Sequence, residues 1–294
     1  MRVIEPHYSV RRKRPKSNRK PLVVGLFALF IITSAGIYGY FSFGKSDNSD
    51  GKSHTAEVLA EQRTEKQITN PGPDDFRFFG GDEFQTLYAS IAYPNTQSQV
   101  TPPSIIGNAE ADNRIRTIAT SRGYVTHSVP VAPIEKTDVP GLIGDDLLQP
   151  LAYNAWQEIK KAADADGIPL KLNSGYRSIE MQRELFLSRM RAAGVQISQI
   201  ASGSVDDQIV SLLHVTAPPG YSKHHTGYTV DFVCANGTQM FETTTCFKWL
   251  HDNNYLNAKK YGWIPSYPDG ANQQGPEPES WEYVWVGVQA LLKD

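Results

Sequence analysis

The most informative segment of this chain is Pro218-Pro-Gly-Tyr-Ser-Lys-His-His-Thr-Gly-Tyr-Thr-Val-Asp231. Its His224 is followed by Gly227, which permits a tight entry from a loop into a strand predicted at Tyr228–Cys234. Alternation along that strand places Asp231 on the face opposite the preceding valine. An imidazole nitrogen and a carboxylate oxygen that converge in this way can bind one divalent cation, although ordinary core or surface roles are the alternative for both residues.

Helices and short strands alternate on both sides of this segment. Apolar residues recur at helical spacing over 147–166, where Gly167 ends the helix, and a second helix is predicted at Ile179–Ala193. The other predicted elements are helices at Asp82–Ile91, Glu110–Arg122 and Phe247–Lys260, and strands at Leu170–Leu172 and Trp281–Val286. We expect a loop between Ala193 and the strand at Tyr228. This order predicts an α+β fold with a small antiparallel sheet flanked by helices.

The charge of the chain is divided unevenly. Residues 1–20 contain eight Lys or Arg and one Glu, a net charge of +7. Because the whole chain carries −2, the other 274 residues carry −2 − 7 = −9. An acidic body of this kind repels phosphate, so the sequence argues against nucleic acid as a partner.

A run without charged residues, 22–43, follows the basic tail. As a helix at 1.5 Å per residue it would span about 33 Å, enough to cross a bilayer. The positive-inside rule then places the N-terminus in the cytoplasm and the chain after about residue 44 in the periplasm or outside the cell. We therefore expect a single-pass protein of the inner (cytoplasmic) membrane. The alternatives are a cleaved signal peptide, with Ser34-Ala35-Gly36 as its site, and a buried core helix.

These observations divide the chain into five parts. They are a cytoplasmic tail (1–21), a transmembrane anchor (22–43), a polar linker (44–75), an N-terminal extension packed on the main domain (76–135) and the main domain itself (136–294). The chain has two cysteines, Cys234 and Cys246, both in the exported part. A pair twelve residues apart in that compartment predicts a disulfide around a small loop, with two free buried thiols as the alternative.

Several motifs in the main domain resemble those of a known enzyme family. Ser222-x-His224-x-x-Gly227-x-x-x-Asp231 is preceded by Ser-Gly-Tyr-Arg-Ser at 174–178 and followed by Glu279-x-Trp near the end of the chain. Over about residues 140–290 the sequence is similar to the VanY-type D-alanyl-D-alanine carboxypeptidases. Their relatives include D-Ala-D-Ala dipeptidases and the Hedgehog-like metallopeptidases. The resemblance implies a Hedgehog/DD-peptidase-like fold and a zinc enzyme that removes the C-terminal D-alanine from peptidoglycan stem peptides, with D,D-cleavage expected and L,D-cleavage left open.

The resemblance also implies roles for individual residues. His224 and Asp231 match the first two metal ligands, and Glu279 matches the base that takes a proton from the attacking water. Arg177 matches an arginine that binds the substrate carbonyl or carboxylate, with a structural ion pair as the alternative. Three further residues are expected to bind substrate: Ser222, Gln182 and Tyr176.

One position departs from the family pattern. The third metal ligand of the family is a histidine after Glu-x-Trp, and this chain has Glu282 there. A His/Asp/Glu zinc site is chemically possible, and its second carboxylate favours Mn²⁺ or another hard divalent ion more than a second imidazole does. The open alternatives are a weak or lost metal and a ligand supplied by His225, His214 or His251. A lost metal would make the chain a degenerate peptidase that binds peptidoglycan or scaffolds a cell-wall complex.

Overall fold

The structure, a computed structural model, describes residues 71–131, 147–235 and 240–294. The predicted cytoplasmic tail, transmembrane anchor and most of the linker lie outside these ranges. Within the described ranges, none of the helices has both the length and the apolar character needed to cross a bilayer. The anchor at 22–43 therefore stays a prediction.

The described chain alternates helices with short strands. The helices are α1 (Gly81–Ser90), α2 (Ala109–Ser121), α3 (Pro150–Ala165), α4 (Ile179–Ala192), α5 (Ile197–Ser202), α6 (Asp206–Leu213) and α7 (Thr245–Lys259). The strands are β1 (Thr96–Gln97), β2 (Val129–Pro130), β3 (Leu170–Ser174), β4 (Thr229–Cys234), β5 (Trp263–Tyr267) and β6 (Glu279–Trp285). The predicted α+β architecture with a small antiparallel sheet is confirmed.

The main sheet has four strands in the order β3-β4-β6-β5, and every neighbouring pair is antiparallel. Asp231 on β4 lies directly opposite Glu282 on β6. Directly paired residues present their side chains on the same face of a sheet. The two carboxylates are therefore neighbours because of the strand register.

The other face of β4 and β6 packs into the main core. Val230, Phe232 and Tyr283 are fully buried there. The Phe232 ring lies 5.5 Å from Trp156 of α3 and 5.3 Å from Tyr283, at distances typical of packed aromatic pairs. The N-terminal extension contributes to the same core through four buried aromatic residues: Phe76, Phe79, Phe84 and Tyr88.

Local sequence signals account for the helix ends. The Ser178 hydroxyl accepts a hydrogen bond from the Met181 amide at the start of α4, and Thr244 does the same for Phe247 at the start of α7. α7 is broken in its middle, where Asn253, Asn254 and Tyr255 adopt left-handed backbone angles. The Asn254 side chain exchanges two hydrogen bonds with the backbone of Phe79, and this contact ties the extension to α7.

Two sequence-based assignments were wrong. The expected loop between Ala193 and Tyr228 contains two short helices, α5 and α6, which are separated by the left-handed Gly203. β5 had no predicted counterpart, since Pro265 lies within it. Proline is tolerated there because β5 is an edge strand of the sheet.

The predicted disulfide is confirmed. Cys234 at the end of β4 is bonded to Cys246 in the first turn of α7. The bond joins the strand that carries Asp231 to the helix that packs against the sheet.

Candidate metal centre

Three side chains converge on one face of the main sheet. His224 lies in a 3-10 turn, Lys223–Thr226, and is only 1% exposed. Its Nε2 atom is 3.3 Å from Asp231 Oδ1 and 3.3 Å from Glu282 Oε2. The three candidate ligand atoms all lie within 4.8 Å of one another. The structure thus brings together the three residues predicted as metal ligands.

Each of these side chains is held on its far side by a hydrogen bond. His224 Nδ1 donates to the Gly175 carbonyl at 2.6 Å, which directs Nε2 at the two carboxylates. Glu282 Oε1 accepts from the Ser266 hydroxyl at 2.6 Å, and Asp231 Oδ2 accepts from the Ser174 hydroxyl. Outer hydrogen bonds of this kind orient metal ligands in proteins.

The inward atoms fit a small divalent cation. His224 Nε2 and Asp231 Oδ1 are buried, and neither has a hydrogen-bond partner in the described part of the chain. Ligands about 2.0–2.2 Å from a tetrahedral zinc ion stand about 3.3–3.6 Å apart, which matches the two 3.3 Å separations. The donor set of one imidazole and two carboxylates also suits such an ion.

The pKa values at this cluster show how strongly its charges interact. Burial lowers the pKa of His224, but the carboxylates of Asp231 and Glu282 outweigh burial and raise this pKa to about 9. Burial likewise raises the pKa of Asp231, but His224, Arg177 and Ser174 outweigh it and bring the pKa to about 2. The carboxylates therefore attract positive charge to the position between them.

Glu279 shares the cleft with the three candidate ligands. Strict alternation along β6 would put Glu279 and Glu282 on opposite faces, because they are three residues apart. The pairing of β5 with β6 is shifted between Pro265 and Tyr267, and this irregularity allows both carboxylates to face the cleft. Burial, with Glu282 and Asp231 nearby, raises the pKa of Glu279 well above its usual value.

Arg177 lines the same cleft. Its Nη2 atom is 3.6 Å from Asp231 Oδ2, and its Nη1 donates to Gln182 Oε1 at 2.9 Å. Gln182 in turn donates to the Ala217 carbonyl at 2.6 Å. Arg177 thus makes a structural ion pair with Asp231, and it also lines the cleft.

Of the three predicted substrate-binding residues, the structure brings two to the cleft. Ser222 and Gln182 line it, and Tyr176 does not. The Tyr176 amide instead donates to the Leu147 carbonyl, and this hydrogen bond joins the chain after β3 to the segment before α3. The expectation that Tyr176 binds substrate is not supported by its position.

None of the three alternative histidines reaches the cluster. His225 Nε2 accepts from the Gly220 amide and its Nδ1 donates to the Arg177 carbonyl, so both ring nitrogens are used. Burial lowers the pKa of His225 to about 4, which keeps the ring neutral. His214 lies 3.5 Å from Glu277, and His251 stacks on Phe247. The proposal that a second imidazole replaces the missing ligand is therefore wrong for the described residues.

Sequence reasoning missed several residues at the site. Arg189 of α4 lines the cleft and donates to the Val215 carbonyl and the Thr216 hydroxyl. No spacing in the sequence indicates this position for Arg189, because its contacts with Val215 and Thr216 depend on how residues 193–216 fold. Ser174 belongs to the Ser-Gly-Tyr-Arg-Ser motif, but alternation from the buried Leu172 would place it on the core face. The pairing of β3 with β4 is shifted between Leu172 and Ser174, and this shift brings Ser174 opposite Asp231. Ser266 gave no signal, since β5 was not predicted.

A buried cluster of imidazole and carboxylates beside a further carboxylate in a cleft is typical of metal-dependent hydrolases. Residues 145–288 match the family model described as VanY, D-alanyl-D-alanine carboxypeptidase. Residues 145–288 are therefore a domain of the VanY family. This confirms the resemblance inferred from the motifs.

Two curated relatives match the same part of the chain. A D-alanyl-D-alanine carboxypeptidase of Enterococcus faecalis is 31% identical over 141 residues, which are 47% of this chain and 47% of that protein. The YodJ protein of Bacillus subtilis is 31% identical over 144 residues, 47% of this chain and 46% of YodJ. The chain thus spans about half the length of these relatives.

Among solved structures, the chain is similar to a zinc complex of the vancomycin-resistance D,D-pentapeptidase VanY. The identity is 24%, and the match covers 57% of this chain and 89% of the other, with a TM-score of 0.43. It is also similar to the LD-carboxypeptidase LdcB, with 27% identity, coverage of 54% and 69%, and a TM-score of 0.40.

Proposed function

We propose that this protein is a metal-dependent carboxypeptidase that removes the C-terminal D-alanine from peptidoglycan stem peptides. The observation that carries the proposal is the convergence of His224, Asp231 and Glu282, in which His224 Nε2 stands 3.3 Å from an oxygen of each carboxylate, a separation that fits two ligands of one zinc ion. Membership of residues 145–288 in the VanY family supports the choice of substrate. We take zinc as the resident ion and D,D-cleavage as the main activity.

When bound, the ion would act as a Lewis acid at the scissile carbonyl and lower the pKa of a water molecule. The residues of the chain carry out the remaining steps. Glu279 takes a proton from the attacking water and passes it to the leaving amine nitrogen, a role that suits a carboxylate whose pKa is raised by burial. Arg177 donates to the substrate carbonyl or carboxylate. A planar guanidinium suits this role because it can hold both oxygens of a carboxylate through two parallel hydrogen bonds.

The donor set also bears on which metal the site selects. Two carboxylates and a neutral imidazole balance the charge of a divalent ion, whereas a site with two imidazoles and one carboxylate leaves one positive charge. Oxygen-rich sites suit harder ions such as Mn²⁺ better than nitrogen-rich sites do. We therefore propose that Mn²⁺ supports activity alongside Zn²⁺.

The place of action is part of the same proposal. The anchor predicted at 22–43 and the polar linker at 44–75 would hold the catalytic domain outside the cytoplasmic membrane, within reach of newly made wall. The disulfide is consistent with an oxidising compartment.

The proposal is tested by incubating the full-length protein with purified muropeptides and following the products by mass spectrometry. We expect loss of one C-terminal alanine from pentapeptide stems, abolished by a chelator and restored by Zn²⁺ or Mn²⁺. Tetrapeptide stems, tested in parallel, report the L,D-activity.

Product that forms equally well with chelator would contradict the metal mechanism. Binding of muropeptides without product under any metal would instead support a non-catalytic wall-binding protein.

A further inference from the structure

The third candidate ligand, Glu282, is held in place by a buried polar cluster that extends away from the cleft. The Ser266 hydroxyl donates to Glu282 Oε1 at 2.6 Å. The Ser266 carbonyl accepts from Lys223 Nζ at 2.6 Å and from Gln85 Nε2 at 2.7 Å. Lys223 Nζ also donates to Gln85 Oε1 at 3.0 Å, which closes a ring of three residues around the Ser266 carbonyl. We call Lys223, Gln85 and Ser266 the Glu282 support.

The position of Ser266 explains why it needs side-chain partners. It lies between Pro265 and Tyr267, where the pairing of β5 with β6 is shifted. A buried backbone carbonyl outside a regular ladder requires another donor. Lys223 and Gln85 supply two donors and so fix the backbone from which the Ser266 hydroxyl reaches Glu282.

Lys223 is built into the interior. It is 3% exposed, and its Nζ atom lies 4.1 Å from the centre of the Tyr88 ring and 4.2 Å from that of Tyr267. Lysine is almost never this buried unless its ammonium group is paired. Here the ammonium group is surrounded by the Ser266 carbonyl, the Gln85 side-chain amide and the two tyrosine rings.

Part of this cluster comes from outside the family segment. Gln85 and Tyr88 belong to α1, whereas the VanY match begins at residue 145. α1 packs against β5, and the Tyr88 hydroxyl is hydrogen-bonded to His127 Nδ1 at 2.9 Å. The N-terminal extension is therefore in contact with Ser266, the residue whose hydroxyl group bonds Glu282.

We infer that Lys223 and Gln85 are positioning residues for the metal site, and that helix α1 of the extension is an integral part of that site. The inference rests on the proposed function, because it assigns the support to a metal-binding Glu282. With Oε1 bonded to Ser266, the carboxylate presents Oε2 towards His224 at 3.3 Å. Without the support, Ser266 loses its fixed place and the Glu282 carboxylate is free to rotate away.

The test is the affinity of the metal-free, full-length protein for Zn²⁺, measured by competition with a chromophoric chelator. Gln85→Leu removes both polar contacts of Gln85 at nearly constant volume, and Lys223→Met removes the ammonium group. Gln208→Leu and Lys171→Met are matched controls on the exposed surface. We expect the first pair to weaken Zn²⁺ binding about 10- to 100-fold and the controls to leave it unchanged.

Folding is checked by circular dichroism and thermal unfolding, with binding measured well below the melting temperature. Gln85→Leu or Lys223→Met protein that is folded and binds Zn²⁺ as tightly as the controls would overturn the inference. If Lys223→Met fails to fold, Gln85→Leu alone decides it, since Gln85 is only partly buried and does not line the cleft. Failure of the unmodified protein to bind Zn²⁺ or Mn²⁺ is a separate result, and it would remove the proposed function as well.

Discussion

Glu282 is the residue at which this chain differs from the family pattern, and its neighbours are arranged for a carboxylate. Its Oε1 atom accepts from Ser266 and its Oε2 atom faces His224. An imidazole at this position would bind zinc through nitrogen and would remove one buried negative charge. We expect Glu282→His to bind Zn²⁺ about 10-fold more tightly and to lose its affinity for Mn²⁺, as measured by competition titration. Unchanged affinity for both ions would place Glu282 outside the ligand shell.

Glu279 has a different role from Glu282, although both line the cleft. Glu279→Gln keeps the size of the side chain and removes its capacity to accept a proton. We expect turnover of muropeptides to fall about 10²- to 10⁴-fold, with Zn²⁺ affinity within about 3-fold of the unmodified protein. Glu277→Gln, at an exposed position two residues earlier, is the control. A large loss of metal affinity in Glu279→Gln would make Glu279 a ligand instead of a base.

At the scale of elements, the break in α7 joins the extension to the main domain. Asn253 and Asn254 both have left-handed backbone angles, but only the Asn254 side chain bonds the Phe79 backbone, and it also accepts from Lys259. Asn253→Ala is therefore a control for the backbone conformation. We expect Asn254→Ala to lower the free energy of unfolding by about 2 kcal/mol more than Asn253→Ala, measured by denaturant titration. Equal losses would mean that the contact with Phe79 adds no stability.

The elements also show what the sequence could predict. Helices α1, α2 and α4 begin and end close to their predicted limits, because caps and apolar spacing are local signals. β5 was missed because Pro265 argues against a strand, and its place at the sheet edge is a property of the fold. The grouping of Glu279 with Glu282 came from the family resemblance. Strand alternation alone would put these two residues on opposite faces of the sheet, because they are three positions apart. The structural cause of the grouping, the shifted pairing of β5 with β6, is a property of two paired strands that the residue pattern of neither strand shows.

At the scale of the whole molecule, the disulfide joins two structural layers. It connects the end of β4, three residues after Asp231, to the start of α7 and closes a loop of twelve residues. A cross-link of this size restricts the unfolded chain and is worth about 2–4 kcal/mol. We expect the double variant Cys234→Ser, Cys246→Ser to lose about that much stability in denaturant unfolding. A reducing agent added to the unmodified protein should give the same loss, and no effect in either case would contradict the prediction.

The candidate metal site and the core around it extend beyond the family segment, which begins at residue 145. Residues 76–131 add Phe79, Phe84 and Tyr88 to the main core and Gln85 to the Glu282 support. The sequence predicted an extension packed on the main domain. That Gln85 reaches the Ser266 carbonyl behind Glu282 depends on side-chain positions that no local pattern encodes.

The cover that α1 provides over β5 has a consequence for solubility. An open edge strand offers its backbone groups to strands of other molecules and so promotes aggregation. Here Gln85 and Lys223 occupy the Ser266 carbonyl, and Pro265 has no amide hydrogen to offer. A fragment cut at residue 145 would uncover this edge together with the aromatic surface that α1 buries, and recombinant versions trimmed in that way should precipitate where longer ones stay dispersed.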